Sequence, residues 1–156
     1  MNANEQAELK QFLNFVATNG YGNEATKKHR QSDGSDTIEL ADGDWKFHDN
    51  YFTSSDGRSF FGREVVFKAG KPYWYMGYAG FTIADAEPSE VDKIIGTAML
   101  SPDEDTPIRG PLELTLGDWQ YAFTPGDSLD EFYAAEWIKH NGTNVYLAHL
   151  HGGLIA

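Results

Sequence analysis

Cysteine is absent from the 156 residues, which excludes a disulfide scaffold, a thiolate metal site and thiol chemistry. Long apolar runs are missing too. No stretch approaches the roughly 18 residues of a membrane span, and the opening MNANEQAELKQ lacks the basic start and apolar core of a signal peptide, so no membrane association and a cytoplasmic location are expected. Basic residues are scarce. Twelve Lys and Arg against 24 Asp and Glu leave a net charge of −12, which argues against a phosphate-backbone binder, because that affinity rests on clustered cations; nucleic acid is not an expected partner. Also lacking are a phosphate loop, a Gly-x-Ser-x-Gly elbow and a dinucleotide fingerprint, and no cofactor is expected.

What is present fits one domain spanning 1–156, long enough to bury a core without staples. The charge is uneven. Phe81 to Glu131 holds twelve acids against Lys93 and Arg109, a local net of −10, densest at Asp103-Glu104-Asp105. The one basic knot, Lys27-Lys28-His29-Arg30, reads as a solvated face.

Two segments carry the helical period. Leu9, Phe12, Leu13 and Val16 form one stripe that stops at Asn19-Gly20, and Val91, Ile94, Ile95, Ala98 and Met99 form a second, with Pro88 suited to its first turn. The remainder alternates as strands. These are expected at Thr37 to Ala41, Trp45 to Tyr51, Phe60 to Lys68, Pro72 to Ala79, Leu112 to Leu116, Trp119 to Phe123, Phe132 to Ile138 and Val145 to His151. Tight turns fall at Asp42-Gly43 and Leu116-Gly117, and Asn141-Gly142-Thr143 reads as a further hairpin turn.

An internal repeat organises these elements. Glu39-Leu40 and Gly43-Asp44-Trp45 recur 74 residues later as Glu113-Leu114 and Gly117-Asp118-Trp119. From Glu64 onward the offset is 72, pairing Glu64 with Glu136, Trp74 with Tyr146 and Gly80 with Gly152. The predicted fold is therefore α+β, an internally duplicated helix-plus-four-antiparallel-strand unit with approximate two-fold symmetry and repeats at about 5–83 and 88–155. Of 22 aromatic residues, 18 lie in the windows 45–80 and 119–152, where large rings cover a sheet face. Alternation sets Trp45, Phe47 and Tyr51 on one face of their strand.

These residues also carry a resemblance. Gly43-Asp44-Trp45, Asp49-Asn50-Tyr51-Phe52, Phe61-Gly62-Arg63-Glu64-Val65-Val66, Gly70-Lys71-Pro72-Tyr73-Trp74 and the closing His149-Leu150-His151-Gly152-Gly153 resemble an uncharacterised bacterial domain family of unknown function. Members of that family stand alone or follow a helix-turn-helix region, which implies an effector-binding role in some of them. The chain departs from the family pattern at Thr53 to Arg58 and at His149-Leu150-His151.

Glu64 and Glu136 are the candidate catalytic residues, being the acidic pair at equivalent strand positions of the two repeats. A carboxyl group among aromatics is raised in pKa and suits acid–base work or a cationic ligand; the plain alternative is an ion pair with Arg63 or Lys68. Candidate ligand-binding residues are Trp45, Tyr51, Glu64, Trp74, Tyr78, Trp119, Tyr121, Glu136, Tyr146 and His149, lining an aromatic cleft between the halves. His149 and His151 share a strand face, but two histidines want a third ligand and no metal site is assigned. The favoured function is a small-molecule, effector-binding module rather than an enzyme. The alternatives are a hydrolase or isomerase using Glu64 and Glu136, and an acidic interaction or inhibitor domain offering 81–131 to a basic protein.

Overall fold

In the computed structural model, which describes every residue except Gly22, Glu24 and Ala156, the chain opens on α1, Ala3–Asn19. Its start is fixed by a capping box: the Asn2 side chain accepts from the Glu5 amide at 3.0 Å and the Glu5 carboxylate accepts from the Asn2 amide at 3.0 Å. The apolar stripe Leu9, Phe12, Leu13 and Val16 is buried. Strands β1 (His29–Arg30), β2 (Asp36–Asp42), β3 (Trp45–Thr53), β4 (Ser59–Lys68) and β5 (Lys71–Thr82) follow. Then come α2 (Pro88–Met99), β6 (Glu113–Leu116), β7 (Trp119–Thr124), β8 (Glu131–His140) and β9 (Thr143–Leu154). No helix among the described residues is long and apolar enough to cross a membrane.

All nine strands form one antiparallel sheet in the order β1-β2-β3-β4-β5-β9-β8-β7-β6. The chain is thus α+β, two four-stranded meanders, β2–β5 and β6–β9, joined through their last strands. That seam runs from Trp74 opposite Leu154 to Thr82 opposite Tyr146, with Tyr78 opposite Leu150 at its middle. Register slips once in each meander, between Val66 and Phe67 and between Ile138 and Lys139. Ladders close at Asp42–Trp45 and Leu116–Trp119, so the two-residue turns are Gly43-Asp44 and Gly117-Asp118, with both glycines at positive φ (57° and 61°). Strand β1 departs from the expectation for the basic knot: His29 and Arg30 remain exposed but pair with Thr37 and Asp36 at the sheet edge.

One face of the sheet lies under the helices and one is open. Phe47, Val66, Trp74, Met76, Ile138, Tyr146 and Leu150 point inward and join Leu9, Leu13, Val91, Ile95 and Ala98 in a single core. Phe52, Phe61, Tyr133 and Leu147 lie exposed on the other face.

Candidate functional site

Polar side chains interrupt the covered face at its centre. On β3 the inward phase is Trp45, Phe47, Asp49 and Tyr51, and β4 faces it with Gly62 opposite Tyr51 and Glu64 opposite Asp49. On β5, Tyr78 stands opposite Gly62 and Met76 opposite Glu64. Gly62 is glycine for a steric reason: a Cβ there would run into the Tyr78 hydroxyl and come within 2.7 Å of the Tyr51 Cβ. Two tyrosine rings therefore close over β4 beside a directly opposed pair of carboxyl groups.

That pair is buried and poorly satisfied. Asp49 is 0 % exposed; its Oδ1 accepts from the Tyr78 hydroxyl at 2.7 Å, and its Oδ2 has no partner among the described residues. Glu64 is 4 % exposed and makes no hydrogen bond among the described residues. Burial pushes Asp49 up to about 7, against the pull of the Tyr78 hydrogen bond and of the Arg109 charge. Glu64 is raised well above the usual carboxylate range, first by burial and then by Asp49, with Arg109 opposing. Two carboxyl groups in one dry place titrate as a pair and retain a proton near neutrality. A chain of hydroxyls leads outward, since Tyr78 lies 3.1 Å from the Tyr21 hydroxyl.

The other half treats its carboxylate differently. Glu136 is also 0 % exposed, but it accepts from Arg109 Nη2 at 2.7 Å and Nε at 3.1 Å, from the Tyr121 hydroxyl at 2.7 Å and from Tyr146 at 3.2 Å. The Tyr121 hydroxyl in turn accepts from the Gly110 amide at 3.0 Å. Arg109, in the loop after α2, is itself buried. Burial works against its charge, and Glu136 holds that charge in place. This cluster is closed and complete.

A cavity of about 320 Å³ opens beside the unsatisfied pair, lined by Tyr51, Phe60 and Tyr78 of the sheet, Tyr21 and Lys28 of the α1–β1 segment, and Arg109. Asp36, Thr53 and Gly57 complete the sheet side, and α2 forms the opposite wall, where Asp92, Ile95, Gly96 and Met99 share one helix face. A hollow of about 20 Å³ shares Tyr21, Met99 and Arg109 with it and reaches Glu64. At the mouth the Lys28 Nζ sits 5.9 Å from the Tyr21 ring centroid and 5.8 Å from that of Tyr51.

Of the residues singled out in the sequence, Tyr51 and Tyr78 line this cavity and Glu64 the adjoining hollow, and Tyr121, Glu136 and Tyr146 gather around Arg109. The others lie elsewhere. Trp45 stacks on Phe12 and meets Tyr73 edge-on, Trp119 stacks on His140, and Trp74 is wholly buried with its Nε1 donating to the Leu129 carbonyl at 2.9 Å. His149 is exposed, on the open face with His151. Among the described residues no group of three or more His, Asp or Glu is gathered so as to hold a metal ion. Glu64 does not pair with Arg63, which points to the open face, or with Lys68, which binds Glu8 at 2.6 Å. Sequence reasoning missed Asp49, Tyr21, Lys28, Asp92 and Arg109. Asp49 was in phase with three inward aromatics, a signal period-two reading contains. Arg109 is the lone base between Lys93 and Lys139.

The architecture is that of an α+β domain whose single sheet carries two buried carboxylate clusters under its helices. Residues 49–155 match the family described as Domain of unknown function (DUF5680), and the chain belongs to that family. The matched span contains both clusters, while α1, Tyr21 and Lys28 precede it. No curated protein and no solved structure matches the chain.

Proposed function

We propose that the chain is a small-molecule binding module whose pocket is the cavity between the β2–β5 meander and α2. One observation carries this reading: Asp49 keeps a buried Oδ2 without a partner among the described residues, opposite a Glu64 that makes no hydrogen bond among them, behind the Tyr78 wall of a cavity at the small end of ligand-pocket volumes. Each such group costs about 1–3 kcal/mol of stability, and the same sheet demonstrates at Glu136 that the fold is able to satisfy a carboxylate in full. Perturbed carboxyl groups next to a cavity are the usual mark of a site rather than of a core.

An internal duplication gives the pocket its setting. The register slips at Val66 and Ile138 are 72 residues apart, as are Tyr78 and Leu150 at the centre of the seam, the same offset that relates Glu64 to Glu136. These coincidences support two diverged repeats about an approximate two-fold axis through that seam. In this reading one copy closed its carboxylate with Arg109 and the other kept its own open for a ligand. The pocket then lies where the sheet of the first repeat meets the helix of the second.

Gly96 supplies the test. It lines the cavity, and a Cβ built on it meets nothing within 4 Å, so Gly96→Leu fills the space without a backbone clash while favouring the helix. A ligand found by native mass spectrometry or a thermal-shift screen should raise the melting temperature of the parent protein and fail to raise that of Gly96→Leu. An undiminished shift in the variant would remove the cavity from the binding site.

A further inference from the structure

We propose that the cavity takes a small organic cation, an amine or ammonium ligand that displaces the Lys28 ammonium from between Tyr21 and Tyr51. The inference rests on the binding reading above and narrows it to one ligand chemistry.

Charge around the site is unbalanced toward acid. The groups facing it are Tyr21 and Lys28 from the α1–β1 segment, Asp36 from β2, Tyr51 from β3, Tyr78 from β5, Asp92 from α2 and Arg109 from the following loop, with Asp49 and Glu64 immediately behind. Arg109 is spent on Glu136, and Asp36 is held by Arg30 at 3.3 Å. Asp92 is then answered by Lys28 at the mouth, and Asp49 and Glu64 feel only an Arg109 whose charge is already paired with Glu136. No free guanidinium remains to receive an anion.

The wall suits a cation as well. Tyr21, Tyr51, Phe60 and Tyr78 present four aromatic rings, with Tyr21 and Tyr51 6.0 Å apart and tilted by 55°. A ring face attracts positive charge, and more strongly when water is excluded. Lys28 already illustrates this: its ammonium lies within 6 Å of both centroids although the residue is exposed and forms no ion pair with a carboxylate among the described residues. It is a tethered cation at the mouth, with none of the depth of the pocket behind it. A free amine reaching further in would meet the Tyr78 hydroxyl, one hydrogen bond from Asp49. Because that charge is best felt when the carboxyl pair is ionised, binding should expel a proton and tighten as pH rises through neutrality.

Three probes that share a ring and differ in charge test this: benzylamine, benzyl alcohol and benzoate. The readout is the spectrum of protein labelled with ¹³C-methyl methionine. Met99 lines the cavity and Met76 is sealed in the core as an internal control of folding. Benzylamine should shift the Met99 methyl saturably, benzyl alcohol should bind at least about tenfold more weakly, and benzoate should leave it unmoved. Benzylamine should bind about threefold to tenfold more tightly to Lys28→Ala, which removes the competitor, and about tenfold more weakly to Asp49→Asn and Glu64→Gln. Its affinity for the parent should rise between pH 6 and 8, and that rise should be lost in Asp49→Asn. Equal binding of the alcohol would overturn the cation assignment and leave the cavity standing as a site. Unchanged or weaker benzylamine binding in Lys28→Ala would overturn the displacement, and an immobile Met99 with all three probes would overturn both the cation and the pocket.

Discussion

Three carboxyl groups on one sheet face differ only in what reaches them. Among the described residues Glu136 receives a guanidinium and two phenols, Asp49 one phenol, and Glu64 nothing. Removing one partner of the closed cluster strands the other in the core, so Arg109→Ala and Glu136→Ala should each cost about 3–5 kcal/mol in denaturant melts, with a double-mutant cost well below the sum. The open pair has the opposite sign. Asp49 is pushed up to about 7, against about 3.9 for an unfolded aspartate, so the folded state binds more protons. The contribution of the pair to stability is full below about pH 4 and is lost as pH rises through 7. Thermal melts from pH 5 to pH 8 should therefore fall in midpoint, and Asp49→Asn should flatten the fall. Glu64 and Glu136 were legible as candidates because they stand at matching strand positions 72 residues apart in the sequence. Their unlike surroundings were not, since Arg109 arrives from a loop 27 residues before its partner and no periodicity announces a loop's destination.

The elements that build the cavity explain which substitutions it tolerates. Helix α2 was readable from Val91, Ile94, Ile95, Ala98 and Met99, and of these all but the half-buried Ile94 are buried. The period pointed to the apolar stripe alone. It passed over Asp92 and Gly96, which adjoin that stripe and carry the pocket wall. Glycine costs a helix interior about 0.5–1 kcal/mol relative to alanine, and the space at Gly96 is open, so Gly96→Ala should raise stability by about that amount in urea or guanidinium melts. Gly62 in β4 predicts the reverse. A methyl group there collides with Tyr51 and Tyr78, and relief requires the Tyr78 hydroxyl to leave Asp49. Gly62→Ala should cost about 1–3 kcal/mol and also weaken the binding proposed for the cavity. Most strand cores were legible from alternation, with ends that coincide or fall up to three residues short, except Leu112, which precedes β6 by one. Strand β1 was not, because two exposed basic residues carry no period.

At the scale of the whole molecule, the sequence pattern predicted two groups of four strands without saying which strands would meet. The halves join through β5 and β9, the strands whose inward residues Trp74, Met76, Tyr78, Tyr146, Ala148 and Leu150 are all buried, which leaves the shorter β1 and β6 at the edges. That choice follows from burial: a long apolar strand left at an edge would invite association, whereas short polar edges resist it. Further links cross the seam. Trp74 of β5 stacks on Phe132 of β8 at 5.6 Å and donates to the Leu129 carbonyl, and α2 walls the cavity of the β2–β5 meander while its Ala98 lies close to Tyr121 and Gly110. A half released from this arrangement would expose an unpaired strand together with its largest buried ring. The two meanders should therefore unfold as one unit, with tryptophan fluorescence and far-ultraviolet circular dichroism giving coincident transitions. Trp74→Ala should lower both midpoints together, by about 3–5 kcal/mol, without splitting them. Separate transitions for the two signals would mean that each meander holds its own core and that the seam only docks them.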